Sequence, residues 1–175
     1  MLFDEDVKIA GDKPSRSLES FEKEEVVLES DENVQKAKNV GEKVAKQYLE
    51  DTTISDDENF NNTELLIQRR LLLSFTATVG FETYIEDDAL SGIAQKSFFD
   101  YIENNSDTSS KSISDTGAFS FYYLAFRRKD DVERRIGQTF AMLCSHDGDP
   151  IFQELGEALY CWFMSVVKDS VSEIF

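Results

Sequence analysis

The stretch Asp149-Pro150-Ile151-Phe152-Gln153-Glu154-Leu155-Gly156-Glu157-Ala158-Leu159-Tyr160-Cys161-Trp162-Phe163-Met164-Ser165-Val166-Val167, continuing to Phe175, decides the fold class. Asp149 is a good helix N-cap, and Pro150 at the first helical position gives up only a donor that has no intrahelical partner. From Leu159 to Val167 every position except Ser165 is apolar. A helix that is apolar on all sides must be buried on all sides, so the stretch predicts the central helix of a helical domain. Cys161 and Trp162 are then expected in the core, and Glu154 and Glu157 toward solvent.

Immediately upstream, Ser145-His146-Asp147-Gly148 reads as a turn. It returns the chain from a helix over Asp130–Cys144, in which Val132, Ile136, Phe140 and Leu143 share one face. Asp130 and Glu133 have the spacing of a capping box at its start. Gly117–Phe126 fits a helix through Phe119, Tyr122, Tyr123 and Phe126, or a strand through Phe119, Phe121 and Tyr123. No partner strand is evident elsewhere, which favours the helix.

Further back, Asp87 or Asp88 opens a helix whose face runs through Leu90, Ile93, Ala94, Phe98, Tyr101 and Ile102, stopped by Asn104-Asn105. The Ser/Asp/Thr-rich stretch Ser106–Thr116 reads as a loop. Asn61 to Glu64 has capping-box spacing ahead of a largely buried helix, with Leu65, Leu66, Leu71–Leu73 and Phe75 inside and Arg69 and Arg70 on a polar face. Gly80 is expected to end or kink it. Thr52–Asn62 reads as a loop. Asp31–Asp51 repeats Val34, Ala37, Val40, Val44, Ala45 and Tyr48 at three- and four-residue steps and can be capped by Ser30 or Asp31. Residues 1–29 are acidic and poor in large apolar groups, and read as an arm, flexible or docked. The expected architecture is all-α: a compact bundle of five to seven helices over residues 30–175, built around a buried C-terminal helix and preceded by an acidic N-terminal arm.

Lys and Arg number 18 against 35 Asp and Glu, for a net charge of −17. Such a chain is repelled by DNA, RNA and anionic membrane surfaces. Met-Leu-Phe-Asp-Glu-Asp at the start has neither a basic nor an apolar leader region, and the longest apolar run falls short of the roughly 20 residues of a membrane span. The expected location is the cytoplasm, and the expected partner is another protein or the chain itself.

His146 is the single histidine, so metal sites and phosphohydrolase centres built on histidine pairs are ruled out. His146-Asp147-Gly148-Asp149 lacks the register of a calcium loop, because Ile151 and Ala158 would fall on ligand positions. Glu154 with Glu157, Asp100 with Glu103 and Glu82 with Glu86 are spaced to share a helix face and could hold Mg²⁺. With so many acids in the chain, solvated acidic faces account for such spacings. No nucleophile has an identifiable base, and the glycines form no phosphate-cradling loop. No metal or cofactor is therefore expected.

Arginine is distributed less evenly. Six of the seven fall in adjacent pairs, Arg69-Arg70, Arg127-Arg128 and Arg134-Arg135. The planar guanidinium suits carboxylates and phosphates, which makes these six the candidate anion- or partner-binding residues. The competing reading is structural: Asp130 to Arg134 and Asp131 to Arg135 are acid-first i,i+4 pairs. Arg127 and Arg134 would share a face if one helix carried both. The expected function is non-enzymatic interaction with a protein partner or self-assembly. The alternative is a helical enzyme or receptor using an acidic pair with Mg²⁺, or the arginines, for an anionic small molecule.

Overall fold

The computed structural model describes residues 18–53, 63–106 and 116–175. The chain divides into two compact units, Met1–Glu32 and Asn33–Phe175. Six helices make up the described residues: α1 Leu18–Thr53, α2 Thr63–Tyr84, α3 Asp88–Asn105, α4 Thr116–Arg127, α5 Val132–Leu143 and α6 Pro150–Ile174. The protein is all-helical, and Gly117–Phe126 is helix rather than strand. Residues 1–17, most of the expected 52–62 loop and residues 107–115 lie outside the described residues, as does Asn61 of the expected capping box. The remainder concerns the second unit.

The helix buried on every side is α2, not α6. Every residue from Leu71 to Phe81 is buried, including Ser74, Thr76 and Thr78. The two threonines satisfy their hydroxyls within the helix: Thr76 Oγ1 donates to the Leu72 carbonyl at 2.8 Å, and Thr78 Oγ1 to the Ser74 carbonyl at 3.0 Å. Gly80 does not end α2, which continues to Tyr84. It marks the place where α6 crosses, since a Cβ there would lie 2.9 Å from Val167 Cγ1.

Helix α6 packs against α5 and α2 and buries Leu159, Tyr160, Phe163, Val167 and Val171 along one side. These two helices, with α1 through Tyr48 and Lys43, cover only part of its circumference. Cys161 and Trp162, expected in the core, face solvent. The apolar run was a true sign of a helix and a misleading sign of how much of it is covered. Its start is as the sequence implies, with the Asp149 carboxylate accepting from the Ile151 amide at 2.9 Å and Pro150 in the first turn.

Close helix approaches explain further glycines. At Gly137 a Cβ would stand 2.3 Å from the Gln153 carbonyl oxygen, and at Gly156 it would stand 2.5 Å from Phe140 Cβ, so α5 and α6 meet almost backbone to backbone. Gly41 plays the same part between α1 and α3, 2.3 Å from the Ala94 carbonyl oxygen. Ser97 Oγ reinforces that contact by donating to the Lys38 carbonyl at 2.9 Å. The apolar face of α1 follows the expected one, with Ala37, Val40, Val44, Ala45 and Tyr48 buried and Val34 half-buried. The helix begins well before Ser30, so neither Ser30 nor Asp31 caps it. Tyr48 sets its ring edge-on to Phe98 of α3 and Phe163 of α6, and burial pushes its hydroxyl up to about 12.

Asp87 caps α3, accepting from the Ala89 and Leu90 amides at 2.8 and 3.1 Å. The capping box expected at Asp130 is not formed. Asp131 precedes α5 in a left-handed conformation, φ 53°, with no side-chain cap bond. Phe75 of α2 is ringed by Phe119, Tyr122, Tyr123 and Phe126, which seats α4 on the core.

The two thiols should behave differently. Cys144 is buried, and burial pushes its thiol up to about 12. Cys161 is exposed, with its thiol raised by partial burial and by Glu133 and Glu157. The thiolate is the reactive form, so native protein is expected to take up one equivalent of iodoacetamide, at Cys161 and more slowly than an unhindered thiol. Cys144 should react only in denaturant. Equal native labelling of both, read by mass spectrometry, would contradict the burial of Cys144.

Candidate interaction groove

Two of the arginine pairs meet at the corner joining α4 to α5. The chain leaves α4 after Arg127 and enters α5 at Val132, with Lys129 and Asp131 both at positive φ. Arg127 and Arg134 therefore do not share a helix face, because two helices carry them. The expected i,i+4 ion pairs are also shifted by this corner. Arg135 pairs with Asp130 at 2.9 Å and donates through Nε to the Asp130 carbonyl at 3.0 Å, while Arg134 reaches Asp131 at 3.7 Å. The Arg135 hydrogen bond and charge, with a smaller contribution from Arg128, hold the Asp130 carboxyl below the usual carboxylate range.

Arg128 and Arg135 border a shallow groove of about 290 Å³ between the two helices. From α4 it is lined by Phe121, Leu124, Ala125 and Arg128, and from α5 by Arg135, Gln138, Thr139 and Met142. Each set falls at i, i+3, i+4 and i+7, the positions one helix face presents. The tight corner makes the helices neighbours, so the arginines stand at one end and the apolar residues fill the middle. Asp147 also lines it. Phe121 is 48%, Leu124 63% and Met142 39% exposed. Large apolar side chains left bare side by side are uncommon away from binding surfaces.

The first arginine pair lies elsewhere. Arg69 is half-buried and bonded to Asp51 of α1 at 2.6 Å, and Arg70 is close enough to Tyr48 to influence its hydroxyl. The Asp51 contact gives Arg69 a structural role in joining α2 to α1. Arg127 and Arg134 are exposed beside the groove rather than in it. Of the six arginines singled out, the geometry brings Arg128 and Arg135 together with apolar surface.

Sequence reasoning missed Phe121, Leu124 and Met142. The signal was present: all three fall off the core faces assigned to their helices, Phe119–Tyr122–Tyr123–Phe126 and Val132–Ile136–Phe140–Leu143. Large apolar residues left over on the outer face of an amphipathic helix mark a second contact surface.

Other surfaces carry less. A larger cleft of about 520 Å³ between α1 and α3 is lined by Lys38, Glu42, Lys96, Ser97, Asp100 and Tyr101, among others. Its charges are mixed, and Lys96 is already paired with Asp100. His146 stacks flat on Phe152, ring centroids 3.8 Å apart, and its carbonyl accepts the Asp149 amide at 3.0 Å, which accounts for it as part of the turn. Glu154 is exposed and Glu157 half-buried. Among the described residues no three His, Cys, Asp or Glu come together as ligands for a cation would, and no helix is long and apolar enough to cross a membrane.

No known protein family, curated protein or solved structure matches this chain. The groove must be judged on its own chemistry. Its lining combines the apolar Phe121, Leu124, Ala125 and Met142 with Gln138, Thr139 and Asp147 and with the two arginines.

Proposed function

We propose that this chain is a non-enzymatic cytoplasmic interaction protein that seats an acidic amphipathic helix in the α4–α5 groove. One observation carries the reading: exposed Phe121, Leu124 and Met142 lie in one groove that ends at Arg128 and Arg135. The apolar side chains among the lining supply affinity through area removed from water, on the order of 25 cal/mol per Å² before the costs of association. The arginines supply orientation. Arg135 is already engaged by Asp130 through Nε and Nη2, so a partner carboxylate meets its remaining N–H groups, with Arg128 lining the same groove.

The test uses a fluorescein-labelled synthetic helix with leucines at i, i+4 and i+7 and flanking glutamates, alongside the same helix with lysines in place of the glutamates. Fluorescence anisotropy should show binding of the acid form, at least tenfold weaker binding of the lysine form, and loss of binding on Leu124→Glu. Leu124→Glu should leave the melting temperature within a few degrees, since that side chain is largely exposed. If neither peptide binds, the groove is not a helix-docking surface. If the lysine form binds equally well, the arginines have no part in recognition.

A further inference from the structure

Helix α6 carries a second apolar stripe, bare at Ile151 and Trp162 and half-buried against the core at Leu155. Ile151, Leu155, Ala158, Trp162 and Ser165 are spaced 4, 3, 4 and 3 residues apart along one continuous helix. That is the spacing of a helix–helix contact seam. Ile151 is 75% and Trp162 38% exposed, with Ala158 and Ser165 open beside them. Of the seven large apolar side chains most exposed among the described residues, three line the α4–α5 groove and two lie on this stripe. The flank of the stripe is acidic. Glu154 borders it, Glu133 and Glu157 are near enough to raise the thiol of Cys161 next to Trp162, and α6 has no basic residue before Lys168.

One surface is thus a groove that asks for an apolar helix with carboxylates. The other is an apolar helix face with carboxylates. We infer that the chain self-associates by seating the α6 stripe of one copy, through Ile151 and Trp162, in the α4–α5 groove of another, with Glu154 facing Arg128 and Arg135. This rests on the helix-docking reading of the groove and adds the occupant. Net charge opposes assembly, since each copy carries −17, but exposed charges more than about 8 Å apart are largely screened at physiological ionic strength. What remains is the local match of opposite signs at the contact. The contact joins two different surfaces, so it either closes reciprocally into a dimer or repeats head to tail into larger species.

Sedimentation velocity of the full chain over a concentration series tests this. The mass should rise above that of a single 20.0 kDa chain, either to a dimer or progressively. Leu124→Glu in the groove and Ala158→Arg on the stripe should each return it to the single-chain mass. Both positions are exposed, and unchanged far-ultraviolet circular dichroism would verify folding. An equimolar mixture of the two variants should form a dimer, because each still presents the surface the other lacks. A single-chain mass at every concentration overturns the proposal, as does a mixture that stays monomeric or a wild-type assembly that survives both substitutions. Peptide binding separates the two readings: a chain that binds the acidic helix yet stays monomeric keeps its groove and loses only this occupant.

Discussion

Phe75→Ala is expected to cost about 3–5 kcal/mol, the range for emptying a buried phenylalanine site. That is a large share of the roughly 5–15 kcal/mol that holds a domain folded. Phe75 is fully buried in α2, with ring contacts to Phe119, Tyr122, Tyr123 and Phe126, all on α4. Edge-on and offset ring pairs add about 0.5–1.5 kcal/mol each beyond area burial. Those contributions overlap and do not sum, but they all act between the same two helices. The loss should therefore be uneven. Urea denaturation should report the global cost, and hydrogen exchange should report a steeper loss of protection in α4 than in α1. Phe75→Leu, which refills most of the volume, should cost clearly less. A Phe75→Ala protein as stable as its parent would mean that α4 is not held through this ring.

Gly137→Ala has an expected sign opposite to that of helix propensity. Propensity alone credits the change with about 0.8–1.0 kcal/mol of stabilisation inside a helix. Here the new methyl would lie 2.3 Å from the Gln153 carbonyl oxygen and 3.2 Å from the Glu157 nitrogen, both backbone atoms of α6. A side chain could rotate away from such a clash, but a helix backbone must move as a body. Overpacking of this kind costs about 1–3 kcal/mol or more, so the net effect is a loss. Gly92 is the control: it lies within α3 and has nothing within 4 Å of an added Cβ. Gly92→Ala should raise the melting temperature and Gly137→Ala should lower it, in matched thermal scans. Equal shifts for both would show that α5 and α6 do not approach as described.

Much of the fold was legible because amphipathic periodicity reports which faces are covered. The core residues of α1, α3 and α5 follow their three- and four-residue steps, and Asp87 and Asp149 cap the helices they precede. What sequence alone could not give was the number of neighbours around each helix. Leu159–Val167 and Leu71–Phe81 are both strongly apolar, yet only the second lies in the middle of the bundle. Its buried threonines look like a polar face until their hydroxyls are seen bonded back to their own helix. The candidate site was half legible. Arginine pairing singled out Arg128 and Arg135, but the left-handed residues at Lys129 and Asp131, which turn those arginines toward one groove, have no marker in sequence because neither is glycine. The stacking of α4 on Phe75 was equally invisible, and with it the exposure of Phe121 and Leu124.

The glycines at helix crossings set a limit on how this chain can diverge. Apolar core positions accept exchange among leucine, isoleucine, valine and methionine at modest cost, and the acidic surface can be rewritten almost freely. Positions 41, 137 and 156 have no such latitude, because anything larger than hydrogen meets an atom at 2.3, 2.3 and 2.5 Å. Distant kin of this protein should retain little of its lettering and still keep those three glycines, at intervals matched to the crossings of α1 with α3 and of α5 with α6. Ancestry would then survive as a spacing of gaps rather than as a resemblance of side chains.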